Sequence, residues 1–256
     1  MKITLIGSGN MGGALLKGLI KSKKVNPADV TVSDINLESL AKMQDLYPEI
    51  HTTSDNKQAV TGANIVLLAV KPWLVKVVME PITETIGKAV LISLAAGVTI
   101  DVLRGYAPNA AIFRVIPNIA AEYLCSMSFV AVANASDEQK QVAFGLLGSV
   151  GNVLEIAETQ FAAATALSSC GIAFAMKYIR ASMIGGITIG FSPKVAEEIV
   201  LQTVKGAVNL LEGSGNNPEV EIDKVSTPGG LTIKGLNAMD ENGFTHAVLA
   251  GILEAK

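Results

Sequence analysis

Gly7, Gly9 and Gly12 stand in a G-x-G-x-x-G spacing directly after the apolar run Ile3-Thr-Leu-Ile6. In that setting each glycine has its own task. Gly7 permits a tight turn, Gly9 lets a pyrophosphate approach the backbone, and Gly12 lets the next helix pack closely on the strand. The helix N-terminus adds unpaired N–H groups and partial positive charge. A glycine-rich turn without a ligand would use the same residue type, but the position between a buried strand and a helix predicts dinucleotide binding, with Ser8, Asn10 and Met11 completing the loop. After the second apolar run comes Asp34, where an acidic side chain can accept from adenine-ribose hydroxyls. Asp34 would repel a 2′-phosphate, and no Arg adjoins it, so the local chemistry favours NADH over NADPH. The alternative is that Asp34 or Asn36 caps the helix beginning at Leu37.

Acid–base groups are scarce. The two histidines, His51 and His246, show neither metal-ligand nor triad spacing and read as structural or solvated groups, so no metal site is expected. A substrate that arrives already activated, such as a protonated imine, would need chiefly orientation and a hydride donor. In the second half, Val225-Ser-Thr-Pro-Gly-Gly230-Leu-Thr232 is the most informative stretch. Read as a helix start, its Pro and paired glycines leave backbone N–H groups free to seat a carboxylate, with the Thr232 hydroxyl alongside; a plain capping turn is the competing reading.

The elements that must position these groups follow from periodicity. Through about residue 155, short apolar runs at 2–6, 30–33, 64–70, 89–94, 111–115, 128–133 and 152–155 alternate with helical stretches at 11–21, 37–46, 73–86 and 137–147. That alternation predicts β-α-β units and a mainly parallel sheet. Beyond about residue 158, Ala-rich helical pattern dominates at 160–168, 173–183 and 194–212. The expected class is therefore α/β: an N-terminal Rossmann-type doubly wound sheet, residues 1–156, followed by an all-helical domain, residues 157–256.

Bulk properties narrow the function. The net charge is −3 with no basic run, which removes the electrostatic term that nucleic-acid binding requires. Half the residues are hydrophobic and few are aromatic, and the mean hydropathy of +0.43 predicts leftover apolar surface and hence an oligomer. The apolar stretch 166–191 carries Lys177 and Arg180 near its middle and reads as a buried interface helix rather than a membrane span. Two cysteines outside any C-x-x-C spacing, and no leader before the first strand, predict a cytoplasmic protein.

Taken together, these residues resemble the pyrroline-5-carboxylate reductase family, which reduces a cyclic imino acid to proline. The likeness runs along nearly the whole chain, in order: Ile6-Gly-Ser-Gly-Asn-Met-Gly12, Asp55-Asn56, Leu68-Ala-Val-Lys-Pro72, Ser93-Leu-Ala-Ala-Gly97, Arg114-Val-Ile-Pro-Asn118, Thr227-Pro-Gly-Gly230, Thr232 and Gly243-Phe244. The resemblance implies that Asn56, Ala69, Val70, Lys71 and Pro72 line the ribose and phosphates of NADPH or NADH, and that Ala95, Ala96 and Gly97 lie near the nicotinamide. It implies that Pro117 and Asn118 border the reaction site, that Gly230, Leu231 and Thr232 receive the substrate carboxylate, and that Thr232 acts at the ring nitrogen.

The resemblance further implies that the helical domain is a dimerisation domain, giving a homodimer or a larger assembly of dimers, with no membrane or nucleic-acid partner. Two departures bear on the substrate, a small-molecule imino acid. The family pattern Ser-Gly-Ser-Gly-Pro-Ala is here Ser168-Ser-Cys170-Gly-Ile-Ala173, which places Cys170 at a hydroxyl position of the substrate site, and the small residue after the paired glycines is Leu231. A related cyclic imine, a hydroxy acid with Lys177 as general acid/base, and a non-catalytic dinucleotide-binding regulator are the competing functions.

Overall fold

The computed structural model describes residues 1–256. By compactness the chain falls into two units, Met1–Ser169 and Cys170–Lys256. The first is built on one eight-stranded sheet: β1 Ile3–Ile6, β2 Val30–Ser33, β3 His51–Thr53, β4 Ile65–Leu68, β5 Val90–Ser93, β6 Ala111–Ile116, β7 Ser126–Ala133 and β8 Gly151–Glu155, in the order β3-β2-β1-β4-β5-β6-β7-β8. All neighbours pair in parallel except β6 and β7, which are antiparallel.

Both faces of the sheet are covered, so the central strands are buried along their length rather than alternating, apolar throughout in β4 and apolar but for Thr4, Ser93 and Arg114 in β1, β5 and β6. Ile65 and Leu67 of β4 enter one core cluster with Leu15, Leu19 and Phe113. Val66 and Leu68 enter the other with Met79, Ile112 and Phe161. The expected doubly wound α/β sheet is thus present. The reversal of strand order lies between β1 and β4, and the crevice at their carboxyl ends is where such sheets bind ligands.

Three helices fix this edge: α1 Asn10–Lys21, α2 Leu37–Leu46 and α3 Asn56–Val60. Helix α1 lies so close to the short 3-10 segment Ile119–Tyr123 that a Cβ on Gly18 would collide with the carbonyl of Ala121. That contact anchors the segment directly after Pro117-Asn118.

Two elements depart from expectation. Strand β3 lies outside the expected apolar runs; it is three residues long, polar and only partly buried, so it carries no hydrophobic period. The helix expected over 73–86 is broken into Pro72–Leu74, Val75–Met79, Glu80–Ile82 and Thr83–Ile86. Pro81 falls inside it, and proline removes a helical donor and crowds the preceding turn.

The second unit consists of the helices Gly171–Thr188, Pro193–Ser214, Pro218–Val225, Leu231–Glu241 and Phe244–Glu254. Ser192 and Asn217 cap the second and third of these, each with Pro in the first turn. Gly186 lets the first two helices approach, since a Cβ there would sit 3.1 Å from that of Ala196. Ala196 is the only buried residue of this unit, while Met176, Ile184, Ile199, Leu249 and Leu253 are exposed. The run Glu158–Thr188 has the length and composition of a membrane span, with 11% of its most apolar window buried.

Candidate functional site

The loops after β1, β2, β4 and β5 converge because each continues the ladder of the sheet for one more bond. Gly7 N donates to Ser33 O at 2.8 Å, Ala69 N to Ile6 O at 2.8 Å, Leu94 N to Leu68 O at 2.8 Å and Asp34 N to Thr53 O at 3.2 Å. Gly7 has φ +94°, and a Cβ there would lie 2.7 Å from Ala69 O; a Cβ on Gly12 would collide with Gly7 O. Gly9 differs, because a Cβ there would meet nothing within 4 Å. It caps α1 without a side-chain hydrogen bond, and the first turn holds no acidic residue. The N–H groups of Asn10, Met11 and Gly12 are therefore left for an anion.

Asp34 is bound to this turn. Its Oδ2 accepts from Ser8 N at 2.7 Å and from Ser8 Oγ at 2.8 Å, and its Oδ1 accepts from Asn36 N at 2.9 Å. The cap of α2 is Asn36, whose Oδ1 accepts from Glu38 N and Ser39 N. The capping task thus falls to Asn36 and leaves the Asp34 carboxylate at the turn. Glu38, on the first turn of α2, has its carboxyl held below the usual range by hydrogen bonding and charge attraction from Lys42. No basic residue is among the hydrogen-bonding partners of Asp34.

Asn56 begins α3 and accepts from the buried Ser33 Oγ at 2.7 Å through Oδ1, while Asp55 caps the helix. Ala69 and Val70 are half-buried, and exposed Lys71 precedes Pro72 at the head of a 3-10 turn, followed by Trp73, 74% exposed. Ala95 is buried, Ala96 and Gly97 are exposed, and Gly97 takes φ +75° in the turn closed by Val98 N to Ala95 O.

At the end of β6 lie Pro117 and Asn118. Asn118 is buried and heavily bonded: its N donates to Ser126 Oγ, its Oδ1 accepts from Ala120 N and its Nδ2 donates to Ser168 Oγ, all at 3.1 Å. Ser169 Oγ donates to Pro117 O at 3.1 Å. Both serines belong to a π-helical segment, Thr165–Cys170. Widened turns of this kind recur at functional sites.

In the helical unit, Gly229 has φ +68° and Gly230 N donates to Thr227 O. A Cβ on Gly230 would collide with Thr227 Oγ1. The helix begins only at Leu231, so Pro228 sits in the preceding turn and not at the helix start; the Gly229 backbone is left-handed and cannot extend the helix backwards. Gly230 caps the helix without a side chain, so the amides of Leu231, Thr232 and Ile233 are left without helical acceptors. Leu231 is 88% exposed and Thr232 is exposed. Cys170 is half-buried, and Lys177, His51 and His246 are exposed.

The structure thus gathers Gly7–Gly12, Asp34, Asn56, Ala69–Pro72, Ala95–Gly97 and Pro117-Asn118 within the first unit, and holds Gly230–Thr232 in the second. Sequence reasoning missed Ser33, Ser93, Ser126, Ser168 and Ser169 as supports. Ser93 did carry a signal, since it is a polar residue closing an otherwise apolar buried strand, and Ser33 closes a strand whose other buried residues are Val30 and Val32.

A family profile described as pyrroline-5-carboxylate reductase dimerisation matches residues 158–256, and one described as NADP oxidoreductase, coenzyme F420-dependent, matches residues 2–97. The chain is 34% identical to pyrroline-5-carboxylate reductase 1 of Dictyostelium discoideum over 98% of its own length and 48% of that protein, so it spans about half of that relative. It is 33% identical to pyrroline-5-carboxylate reductase 2 of the same organism, over 98% of this chain and 89% of the other. Among solved structures, the pyrroline carboxylate reductase of Plasmodium falciparum with NADP bound superimposes with TM-score 0.89 at 25% identity, covering 100% of this chain and 95% of that one.

Proposed function

The chain belongs to the pyrroline-5-carboxylate reductase family, and on that premise we propose that it reduces the C=N bond of 1-pyrroline-5-carboxylate to L-proline with NADH or NADPH, the last step of proline biosynthesis. The observation that carries this reading is the crevice at the carboxyl edge of the sheet. There the open backbone at Gly9 and the uncapped start of α1 lie beside Asp34 and the loops at Ala69 and Ala95. Their chemistry suits a dinucleotide, with donors and space for phosphates next to a carboxylate for ribose.

When bound, the nicotinamide supplies a hydride to the imine carbon. The turn Gly7, Ser8, Gly9, Asn10, Met11 and Gly12 holds the pyrophosphate. Asn56, Ala69, Val70, Lys71 and Pro72 line the adjoining ribose and phosphates, and the backbone of Ala95, Ala96 and Gly97 brackets the nicotinamide. Pro117 and Asn118 border the reacting atoms, the latter as a fixed wall rather than a mobile donor. Cys170 flanks the substrate. The free N–H groups of Leu231 and Thr232, next to the side-chain-free Gly230, hold its carboxylate, and the Thr232 hydroxyl supplies or relays a proton at the ring nitrogen.

We further infer that NADH is preferred, because the Asp34 carboxylate stands where a 2′-phosphate would bring like charge. We infer a functional boundary at 156/157, next to the start of the profile at residue 158, whereas the compact units divide at 169/170 because Glu158 and Phe161 pack on the first sheet. The helices of the second unit act as a homodimer interface, supported by their exposed apolar side chains; sedimentation would register this dimer and any larger assembly of dimers. Two free cysteines suit a cytoplasmic enzyme. The test is coenzyme oxidation by the purified protein with pyrroline-5-carboxylate. Turnover, faster with NADH, is expected; coenzyme binding with no turnover would overturn the reading.

A further inference from the structure

Arg114 is the one charged residue buried in the structure, and nothing in the reaction just described uses it. It sits in β6 with its Cα in register with Ser93, the last residue of β5 before Leu94-Ala95-Ala96-Gly97. Its guanidinium lies 4.5 Å from the centroid of the Phe161 ring, a cation–π geometry. One of its terminal nitrogens donates to Glu158 Oε1 at 2.7 Å, while its Nε is buried without a partner, so Glu158 is the charge that balances it. The same Glu158 Oε1 accepts from Ile100 N at 2.8 Å, the first amide of the Ile100–Tyr106 helix. At the other end of the intervening loop, Ala95 N donates to Ser93 Oγ at 3.4 Å.

The loop from Leu94 to Thr99 is therefore spanned by a strut. Its start follows the strand position beside Arg114, and its end is bonded to the carboxylate that Arg114 holds. Within it, Ala96 and Gly97 are exposed and make no side-chain hydrogen bonds that could fix them independently.

We propose that Arg114 and Glu158 are positioning residues that set the nicotinamide-side loop, Ala95–Gly97, at the distance hydride transfer requires. This rests on the reading that the loop borders the nicotinamide. A sub-ångström to ångström displacement of a positioning wall lowers turnover without removing the ligand's other contacts. The strut touches no phosphate-binding residue, so its loss acts on the nicotinamide end alone.

The experiment is Glu158→Gln, which keeps an acceptor and removes the charge, measured in the full-length protein. Affinities for NADH and for ADP-ribose, which lacks nicotinamide, are read from Trp73 emission, beside kcat. The expected result is a fall in kcat of about tenfold and weaker NADH binding, with ADP-ribose affinity within about twofold of the parent. A purely structural role would weaken both ligands together and would overturn the proposal. Should Glu158→Gln fail to fold, the paired replacement Arg114→Met/Glu158→Leu removes both charges and is read in the same way. Gly97→Val separates the two layers of inference. If it abolishes turnover while the strut variant is unchanged, the strut is overturned alone; if both are unchanged, the nicotinamide assignment of the loop falls with it.

Discussion

The Asp34 carboxylate binds the backbone N–H and the hydroxyl of Ser8 through a single oxygen, at 2.7 and 2.8 Å. One side chain thereby joins the end of β2 to the glycine turn after β1, and orients the turn while presenting negative charge at the carboxyl edge of the sheet.

Replacing Asp34 with Ser keeps a small polar group and removes that charge. We expect kcat/KM with NADH to fall at least about tenfold and the ratio of NADPH to NADH efficiency to rise, since a ribose acceptor is lost and a 2′-phosphate is no longer repelled. Steady-state rates with both coenzymes check this. An unchanged ratio would remove Asp34 from coenzyme choice.

The glycines of the turn should separate into two kinds. Gly12→Ala forces a Cβ into Gly7 O, so a loss of about 2 kcal/mol or more in stability is expected, together with loss of coenzyme binding. Gly9→Ala adds a methyl group to open space, so stability should stay within about 1 kcal/mol while pyrophosphate binding is blocked. Thermal unfolding reports the first quantity. Quenching of Trp73, the single tryptophan and exposed beside Lys71-Pro72, reports the second.

Thr232→Ala removes a hydroxyl from an exposed residue without opening a buried contact. Stability should therefore be unaffected, and turnover should fall at least about tenfold with NADH binding intact. Full turnover in this variant would take Thr232 out of the mechanism.

Glu221 reports on the helical unit through pH. Its carboxyl is held at about 2, against an ordinary 4.5, by hydrogen bonds from Lys224, then Asn216 and Ser214. Because the folded value is the lower one, this stabilisation is complete above about pH 4.5 and is lost as pH falls towards 2. Acid titration of helicity should show the parent losing more stability across that window than Glu221→Gln. Parallel curves would show that the contacts do not couple to folding.

Much of the site could be read in the residue order because its chemistry is local. Gly7, Gly9 and Gly12 act through their own backbone and their sequence neighbours, and the apolar runs of β1, β2, β4 and β5 announce strands covered on both faces. The supports were hidden for the opposite reason. Ser168 and Ser169 are fifty or more residues from Asn118 and Pro117, and a hydroxyl carries no mark of which distant loop it will bond. Strand β3 was obscure because it is short and polar. The helix expected over 73–86 failed because Pro81 outweighed an apolar period.

The sequence by itself determined the fold class, the glycine turn after β1, the acidic residue after β2 and the family, since each resides in short-range pattern or in ordered motifs. Only the tertiary structure decided that Asp34 serves the turn while Asn36 caps the helix, that Asn118 is a bonded wall, and that Arg114 and Glu158 brace the loop at Ala95–Gly97. Those assignments depend on which hydrogen-bond partners reach one another once the strands have paired, and partner choice across tens of residues is fixed by packing rather than by any local propensity.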